Sequence, residues 1–217
     1  MQTNTLLLAS QSPRRREMLA WLRLPFESIA PALDETSLPG ETPREEALRL
    51  ARSKAAACVT HAPHRWILAA DTTVELDGVS LGKPRDPAEA HAMLVALRNR
   101  QHAVHTGVTL YIATTGESFT RGVTTVVWMR DYTEAEIAAY VASGAPLDKA
   151  GSYGIQNAAF DPVARVERCY ANVVGLPLCA VKALLAAQGL HLALDIPHLC
   201  LEKFGYHCPA PDMGYER

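Results

Sequence analysis

The sequence predicts an α/β protein in which helices flank a sheet of mixed strand direction. Two observations support this prediction. Short apolar runs bounded by turn residues alternate with helical periodicity along the first half of the chain. Further on, the β-branched segments 104–113 and 118–129 are divided by a Thr-Gly-Glu turn, which predicts a long antiparallel pair of strands.

The first strand and helix are predicted at the N-terminus. The apolar run 6–9 predicts a short strand that stops at Ser10. Ser12 can then cap a helix whose first turn accommodates Pro13, and whose apolar side chains recur at helical spacing as far as Leu22.

Three consecutive arginines begin this helix: Arg14, Arg15 and Arg16. A strand that ends at a serine and turns into such a helix would direct hydroxyl, backbone N–H and guanidinium groups at one place. The segment therefore predicts an anion site, and phosphates are the expected anions. The structural alternative is a solvated basic turn without a ligand.

The next predicted elements are an extended segment at 25–30 and a loop at 31–43 that is rich in proline, threonine and acidic residues. Thr42 and Pro43 are typical of a helix start, with a hydroxyl cap and a proline in the first turn. This helix is expected to run to about Val59.

A buried strand is predicted for the apolar run 66–70, and Asp71 follows it directly. An acid in this position costs stability unless it caps a turn, is paired or is functional, and the ends of central strands often carry catalytic groups. Capping of the next turn is the alternative for Asp71. Within 74–81, the Asp77-Gly78 turn predicts a hairpin that would return Lys83 toward Asp71.

The remaining elements follow the same signals. Asp86 is predicted to cap a helix with an apolar stripe, and Thr133 is predicted to cap another that ends near Gly144. A polar, glycine-bearing loop at 147–156 has too little regularity for a strand or helix. A strand at 163–169 and a helix at 173–185, entered through Gly175-Leu176-Pro177, complete the prediction.

No repeat, low-complexity tract or flexible linker divides the chain. One domain is therefore predicted over residues 1–196, and a shape with two lobes and a cleft is consistent with it. Residues 197–217 show no clear periodicity and are predicted to be a tail of unknown role.

Composition excludes several classes of function. Lysine and arginine number 21 against 23 acidic residues, a net charge of -2, which argues against a broad basic surface for nucleic-acid polymers. No apolar run approaches the roughly 20 residues needed to span a bilayer, and the N-terminus lacks an export signal. We therefore expect a cytoplasmic protein that binds neither long nucleic acids nor membranes.

The five cysteines are odd in number and scattered, which predicts free thiols rather than a disulfide framework. Cys200, His207 and Cys208 could bind a soft metal, but they lack an evident fourth ligand and the usual spacing. A loosely ordered tail with incidental thiols is the alternative.

Several polar residues of these elements could serve one chemistry. Cations can hold phosphates, and carboxylates can hold a divalent metal or accept a proton, as hydrolysis of a phosphoanhydride requires. A Gly-x-x-x-x-Gly-Lys-Ser/Thr loop is absent, which argues against a P-loop enzyme. Taken singly, the arginines, the lysine on the second helix and the loop acid could all be ordinary solvated residues. The set comprises Ser10, Arg14, Arg15, Glu35, Lys54, Asp71, Lys83 and Gln156.

Several ordered motifs between about residues 5 and 190 closely resemble the Maf family of nucleoside triphosphate pyrophosphatases. The resemblance implies an elongated α/β fold related to inosine triphosphatases, with a cleft between two lobes. It also implies metal-dependent release of pyrophosphate, and often a homodimer. The motifs are Leu-Ala-Ser-Gln-Ser-Pro-Arg-Arg at 8–15, Ala-Asp-Thr at 70–72, Gly-Lys-Pro-Arg-Asp at 82–86, Asp-Lys-Ala-Gly-Ser-Tyr-Gly-Ile-Gln at 148–156 and Val-Gly-Leu-Pro-Leu at 174–178.

The resemblance also implies roles for individual residues. The proton acceptor of the family corresponds to Asp71, and the phosphate-binding and cleft positions correspond to Ser10, Arg14, Arg15, Glu35, Lys54 and Lys83. Catalytic roles are expected for Asp71, Lys83 and Glu35.

Arg14, Thr72 and Gln156 match three selectivity positions of the branch that prefers dTTP and UTP. The amide of Gln156 offers both a donor and an acceptor, as does the pairing edge of uracil or thymine. Asn157 follows it where many relatives have glycine, which is expected to reshape the base pocket.

The sequence thus predicts an enzyme that cleaves between the α and β phosphates of dTTP, UTP or modified pyrimidine nucleotides, giving the monophosphate and pyrophosphate. Mg²⁺ or Mn²⁺ is the expected cofactor. The resemblance to the family also implies a link to septum formation during cell division. Two alternatives stay open. One is a nucleotide-sensing regulator of septum formation without turnover, and the other is a pyrophosphatase of deaminated purine nucleotides such as ITP or XTP.

Overall fold

A mixed sheet of seven strands organises the part of the chain that the computed structural model describes, residues 6–208. Residues 1–5 of the predicted domain and 209–217 of the predicted tail lie outside it. The strand order is β2-β1-β3-β5-β6-β7, and β4 pairs with β3. The strands are β1 (Leu6–Ala9), β2 (Phe26–Ile29), β3 (Trp66–Leu76), β4 (Val79–Leu81), β5 (Gln101–Ile112), β6 (Glu117–Met129) and β7 (Val163–Glu167).

Strand directions are mixed, as predicted. β1 runs parallel to β2 and β3, whereas the pairs β3–β4, β3–β5, β5–β6 and β6–β7 are antiparallel. The helices on this sheet are α1 (Pro13–Ala20), α2 (Pro43–Ala57), α3 (Pro87–Leu97), α4 (Glu134–Ala142), α5 (Tyr170–Val174), α6 (Leu178–Ala187) and α7 (Ile196–Phe204). The α/β class predicted from the sequence is confirmed.

Side-chain caps fix the predicted helix starts. Ser12 accepts a hydrogen bond from the backbone of Arg15, and Asp86 accepts one from Glu89. Thr42 and Thr133 form reciprocal capping boxes with the glutamates three residues later. Each helix therefore begins within a residue of the position that its cap predicts.

Both faces of the sheet are covered at the end that holds β1. Alternate residues of β1 and β3 point to opposite faces. Leu8 and Leu68 join the cluster packed under α1, α5, α6 and α7, whereas Leu7 and Ile67 pack against α2. This explains the uninterrupted apolar run of β3, because neither face of the strand meets water.

A second cluster lies at the other end of the sheet, beneath α3, α4 and the segment 153–160. It includes Val74 and Val104 from the strands and the rings of Tyr140 and Phe160, which are stacked at 4.2 Å. The predicted cleft lies where the two clusters meet.

The edge of β3 changes neighbours at this junction. Residues 67–69 pair with β1, residues 74–76 pair with β4, and β5 occupies the whole of the opposite edge. Residues 70–73 therefore lie between two partner strands on the β1 side of the sheet. The predicted hairpin at Asp77-Gly78 creates this gap by bringing β4 back along β3.

Three predictions of local structure were wrong. β3 does not end before Asp71, because its ladder with β5 continues to Glu75. The helix predicted at 173–185 is two helices, because Gly175 has a φ of 117° and ends α5. The strand predicted at 163–169 ends at Glu167.

The predicted tail begins with a helix rather than an irregular segment. Asp195 caps α7 by accepting a hydrogen bond from His198, and Gly205, at a φ of 65°, ends it. Ile196 and Cys200 are buried against the first cluster. No helix among residues 6–208 has the length and apolar character needed to cross a bilayer.

Candidate active site

The gap beside residues 70–73 opens into a cavity of about 980 Å³. Strands β1 and β3, helices α1 and α2, the segment after β4, the loop at 148–157 and the end of α5 all contribute to its walls. All nine residues predicted for the site line this cavity: Ser10, Arg14, Arg15, Glu35, Lys54, Asp71, Thr72, Lys83 and Gln156. Positions spread over some 150 residues thus converge, as the resemblance implied.

A buried ion pair lies at the centre of the site. Lys54 Nζ donates to Asp71 Oδ1 at 2.5 Å and to Glu35 Oε2 at 2.7 Å. The side chains of Lys54 and Asp71 are each 9% exposed, whereas that of Glu35 is 53% exposed. Lys54 therefore holds two carboxylates together, one buried and one open to solvent.

Two glycines allow α2 to approach the sheet closely enough for this pair. A Cβ at Gly107 would lie 2.4 Å from the carbonyl oxygen of Ala47, and one at Gly122 would lie 3.2 Å from Leu48 Cδ2. Gly107 pairs with Asp71 across the β3–β5 ladder. The bare strand beneath α2 is thus directly beside the acid that α2 engages through Lys54.

The N-terminus of α1 forms one wall of the cavity. Ser12 N donates to Ser10 Oγ at 3.1 Å, which fixes the turn between strand and helix. Residues 9–15 all line the cavity, so the positive end of the helix faces it. This geometry suits an anion.

The cationic side chains of the site differ in whether they already make hydrogen bonds or ion pairs within the protein. Among residues 6–208, neither Arg14 nor Lys83 makes a hydrogen bond or ion pair. Arg15, in contrast, donates from Nε to the carbonyl of Gly175 at 2.8 Å and from Nη2 to Thr72 Oγ1 at 3.0 Å. Burial lowers the pKa of Arg15, and the charge of Asp71 opposes this.

The loop that carries Gln156 is tied to both walls. Gly151 N donates to Gly82 O at 3.1 Å, which joins this loop to the segment that carries Lys83. Gly154 N donates to Tyr140 Oη at 3.2 Å. Gln156 itself is exposed on the cavity wall, so its amide is accessible to a ligand.

Tyr153 anchors the same loop from beneath. Its hydroxyl lies 2.7 Å from Nε2 of His102 on β5. Burial raises the pKa of Tyr153 and lowers that of His102 to about 4, so the pair is neutral near pH 7. His102 Nδ1 is buried without a partner among the described residues.

Asn157 has a local structural role beside Gln156, the predicted selectivity position. Its Oδ1 accepts a hydrogen bond from Phe160 N at 2.9 Å, and its backbone N–H donates to Gly154 O at 3.0 Å. The side chain thereby closes a turn that glycine could not close in this way, although Asn157 also lines the cavity.

The carboxylates are suited to a divalent cation that also contacts substrate. Within residues 6–208, no three His, Cys, Asp or Glu side chains form a ready-made metal site. Asp71 Oδ2 makes no hydrogen bond in that part of the chain, and Glu35 is solvent-facing. Mg²⁺ typically takes one or two carboxylates and completes its shell with water and phosphate oxygens. Asp71 and Glu35 fit that pattern.

Sequence reasoning missed Glu46. It lines the cavity, is 7% exposed and accepts a hydrogen bond from Ser37. Glu46, Leu50 and Lys54 follow one another at four-residue spacing on the buried face of α2. A charged residue two turns before Lys54 on an otherwise apolar face was the available signal.

The chain is similar to known proteins along most of its length. The family model of the Maf-like proteins matches residues 5–188. The dTTP/UTP pyrophosphatase of Salinibacter ruber is 50% identical over 80% of this chain and 85% of its own length. That of Geobacter metallireducens is 42% identical over 87% of this chain and 98% of its own. Among solved structures, the Ham1 protein of Staphylococcus aureus matches 58% of this chain and 72% of its own, with a TM-score of 0.41 and 17% identity.

Proposed function

The chain belongs to the Maf family, and on that premise we propose that it is a nucleoside triphosphate pyrophosphatase. It hydrolyses the α–β phosphoanhydride of dTTP, UTP or modified pyrimidine nucleotides to the monophosphate and pyrophosphate. The observation that carries the proposal is the position of Asp71 in a cavity whose walls hold Arg14, Arg15 and Lys83.

The cationic side chains and the N-terminus of α1 bind the phosphates. Arg14 and Lys83 are free to pair with phosphate oxygens, and the N–H groups of Arg15 that Gly175 and Thr72 do not use are also available. Their charges stabilise the negative charge that develops on the leaving pyrophosphate. Ser10 is 5% exposed and holds the turn that aims the helix at the anion.

Asp71 accepts the proton of the attacking water. Lys54 fixes the Oδ1 atom, which leaves Oδ2 to face the water. A positioned general base of this kind typically contributes about 10²–10⁴-fold to a rate. Glu35 shares the same ammonium group and therefore keeps the orientation of Lys54.

Asp71 and Glu35 would hold Mg²⁺ or Mn²⁺ together with phosphate oxygens. When bound, the cation neutralises charge on the triphosphate. Gln156 contacts the pairing edge of the base, where its amide matches the donor and acceptor of uracil or thymine.

A nucleotide panel tests this function. We expect pyrophosphate from dTTP and UTP at rates at least about tenfold above those from ITP, XTP and the other common triphosphates, with turnover lost when EDTA removes the metal. Binding without any pyrophosphate would identify a sensor, and preferred turnover of ITP or XTP would identify a purine-directed enzyme. Either outcome overturns the proposal.

The finer predictions that accompany this function remain proposals. We expect a cytoplasmic homodimer, and analytical ultracentrifugation of the purified protein tests the dimer. The link to septum formation stays a prediction, which overproduction in dividing cells would test.

A further inference from the structure

We propose that Thr72 influences substrate binding by orienting Arg15, and not by donating a hydrogen bond to the base. Thr72 and Arg15 belong to a closed ring of hydrogen bonds. Thr106 is a member of the same ring and is therefore a positioning residue. The inference rests on the proposed function, because it concerns how the same site binds a nucleoside triphosphate.

The ring passes through five residues. Arg15 Nη2 donates to Thr72 Oγ1 at 3.0 Å, and the hydroxyls of Thr72 and Thr106 lie 2.8 Å apart. Thr106 Oγ1 donates to the carbonyl of Asn172 at 3.2 Å. That carbonyl also accepts from Gly175 N at 3.0 Å, and Gly175 O in turn accepts from Arg15 Nε at 2.8 Å. The guanidinium is therefore bound to the end of α5 directly through Nε, and through Thr72 and Thr106 from Nη2.

Proton counting fixes the direction of every bond in the ring. A threonine hydroxyl has one proton. That of Thr106 goes to the Asn172 carbonyl, because a carbonyl oxygen can only accept. Thr72 must therefore donate its own proton to Thr106, and it accepts from Arg15, which has no acceptor atom.

Thr72 consequently has no proton left for a ligand. The carbonyl oxygens of uracil and thymine need donors, so the Thr72 hydroxyl cannot recognise them in this arrangement. What Thr72 does determine is the orientation of Arg15, whose remaining N–H groups face a cavity suited to phosphates. The effect that it exerts through Arg15 should then be the same for every base.

Thr106 and Asn172 are too deeply buried to contact a nucleotide. They are 1% and 0% exposed, and neither lines the cavity. Asn172 is itself held in place, since its Nδ2 donates to Val104 O at 2.9 Å and to Thr125 Oγ1 at 3.0 Å. Any effect of Thr106 on substrate must therefore pass through Thr72 and Arg15.

The kinetic test compares Thr72→Val, Thr106→Val and the double variant with dTTP, UTP and ITP. We expect each single change to raise KM about tenfold, which corresponds to about 1.4 kcal/mol, because each removes a hydrogen bond of the ring. The factor should agree within about twofold for all three nucleotides, kcat should change less than KM, and the double variant should be no worse than Thr72→Val alone. Thr72→Ser, which keeps the hydroxyl, should restore the KM.

Thr109→Val is the matched control. Thr109 is a fully buried threonine on the same strand, and its hydroxyl pairs with Thr120 at 2.9 Å outside the ring. Wild-type KM in Thr106→Val, or the same change in Thr109→Val as in Thr106→Val, overturns the proposal. So does a Thr72→Val enzyme whose preference among bases shifts while that of Thr106→Val does not.

A binding measurement separates this inference from the proposed function. Calorimetric titration with inorganic tripolyphosphate, which has no base, should show an affinity about tenfold weaker in both valine variants than in the wild type. This result supports the ring even if no nucleotide is hydrolysed. Equal affinities in wild type, Thr72→Val and Thr72→Ser overturn it, and that comparison remains usable if Thr106→Val does not fold.

Discussion

Asp71 is a charged residue buried within the central strand β3, where it is 7% exposed. Lys54 makes this tolerable by placing an ammonium 2.5 Å from Oδ1. Removing one partner of a buried pair leaves the other uncompensated, which is commonly costly. Glu35 lessens that cost here, because it remains bonded to Lys54 if Asp71 is neutralised.

Replacing Asp71 with asparagine should therefore keep the fold and remove the base. We expect pyrophosphate release to fall by about 10²–10⁴-fold, because a positioned general base contributes that much. Turnover is measured alongside the circular dichroism spectrum. Asp77→Asn, in the exposed hairpin turn and paired with Arg100, is the matched control. Near wild-type turnover in Asp71→Asn would remove Asp71 from the role.

His102 gives the protein a pH-dependent stability. Its pKa is about 4 in the folded protein because burial penalises the charged ring, and about 6.5 in an unfolded chain. Between these values the unfolded chain binds more protons, so the free energy of unfolding falls as pH decreases from about 6.5 toward 4. The difference between the two pKa values corresponds to roughly 3 kcal/mol of unfolding free energy.

Denaturant titrations between pH 7 and pH 4 test this linkage. His102→Gln cannot titrate in this range but keeps an amide that can reach Tyr153. We expect a clearly smaller pH dependence of the denaturation midpoint in the variant than in the wild type. Parallel curves for the two proteins would show that other groups cause the acid sensitivity.

At the scale of elements, the contact of α2 with the sheet determines whether the site exists. A Cβ at Gly107 would meet backbone atoms of Ala47 and Leu48 below 3.0 Å, so the helix itself would have to move. Lys54 lies at the C-terminal end of that helix and would move with it.

Gly107→Ala should accordingly cost about 1–3 kcal/mol of unfolding free energy, the usual range for overpacking, and should reduce turnover. Gly122→Ala is the graded comparison, because its Cβ would meet only the ends of flexible side chains, Leu48 Cδ2 at 3.2 Å and Arg44 Nη2 at 3.5 Å. Thermal melts and turnover of the two variants are compared. Equal stability of the two would contradict the account of the helix contact.

Helix α7 lies beyond residue 188, where the family match ends. Its Phe204 contacts Trp21, the residue that follows α1, with ring centres 5.2 Å apart, and Tyr170 of α5 at 4.9 Å. Both neighbouring helices adjoin the cavity: α1 carries Arg15, and α5 ends at Gly175. Helix α7 thus packs against two helices, α1 and α5, that position the guanidinium of Arg15.

Truncating this ring should lower stability. We expect Phe204→Ala to cost about 1–3 kcal/mol, since the side chain is partly buried among aromatic rings. Lys203→Ala, one residue earlier and exposed, should stay within about 0.5 kcal/mol of wild type. Denaturant titration compares the two. A stable Phe204→Ala variant would mean that α7 rests on the core without supporting it.

Local signals predicted those elements that local chemistry determines. The caps at Ser12, Thr42 and Thr133 fixed helix starts because their hydroxyls act within three residues. The break at Gly175 was missed because the neighbouring apolar residues continue the helical pattern across it. Helix α7 was missed although Asp195 and Gly205 are ordinary start and stop signals.

At the scale of the whole molecule, the site lies at the junction of two apolar clusters. One packs beneath α1 and α6 and the other beneath α3 and α4. The β3–β4 hairpin separates β4 from β1 along one edge of β3, and the cavity occupies that opening. Asp71, the cations and the amide of Gln156 thereby line one cavity although they lie far apart in the chain.

Sequence reasoning identified nine residues that line this cavity but missed Glu46 and the contacts among them. The sequence alone shows an acidic residue next to a buried apolar run, and it shows arginines after a serine that can cap a helix. Lys54 can pair with Asp71 because Gly107 has no side chain to keep α2 away from the sheet. The hydrogen bonds that hold Arg15 belong to a ring that includes Asn172 and Thr106. Contacts of this kind arise from packing between elements, which no local pattern specifies.

The products of dTTP hydrolysis test the central claim most directly. The wild-type protein is incubated with dTTP and Mg²⁺ or Mn²⁺, and the phosphorus products are resolved by nuclear magnetic resonance. The account predicts dTMP and pyrophosphate as the initial products. Appearance of dTDP with orthophosphate would contradict it. So would dTTP that stays unchanged in the presence of Mg²⁺ and also in the presence of Mn²⁺.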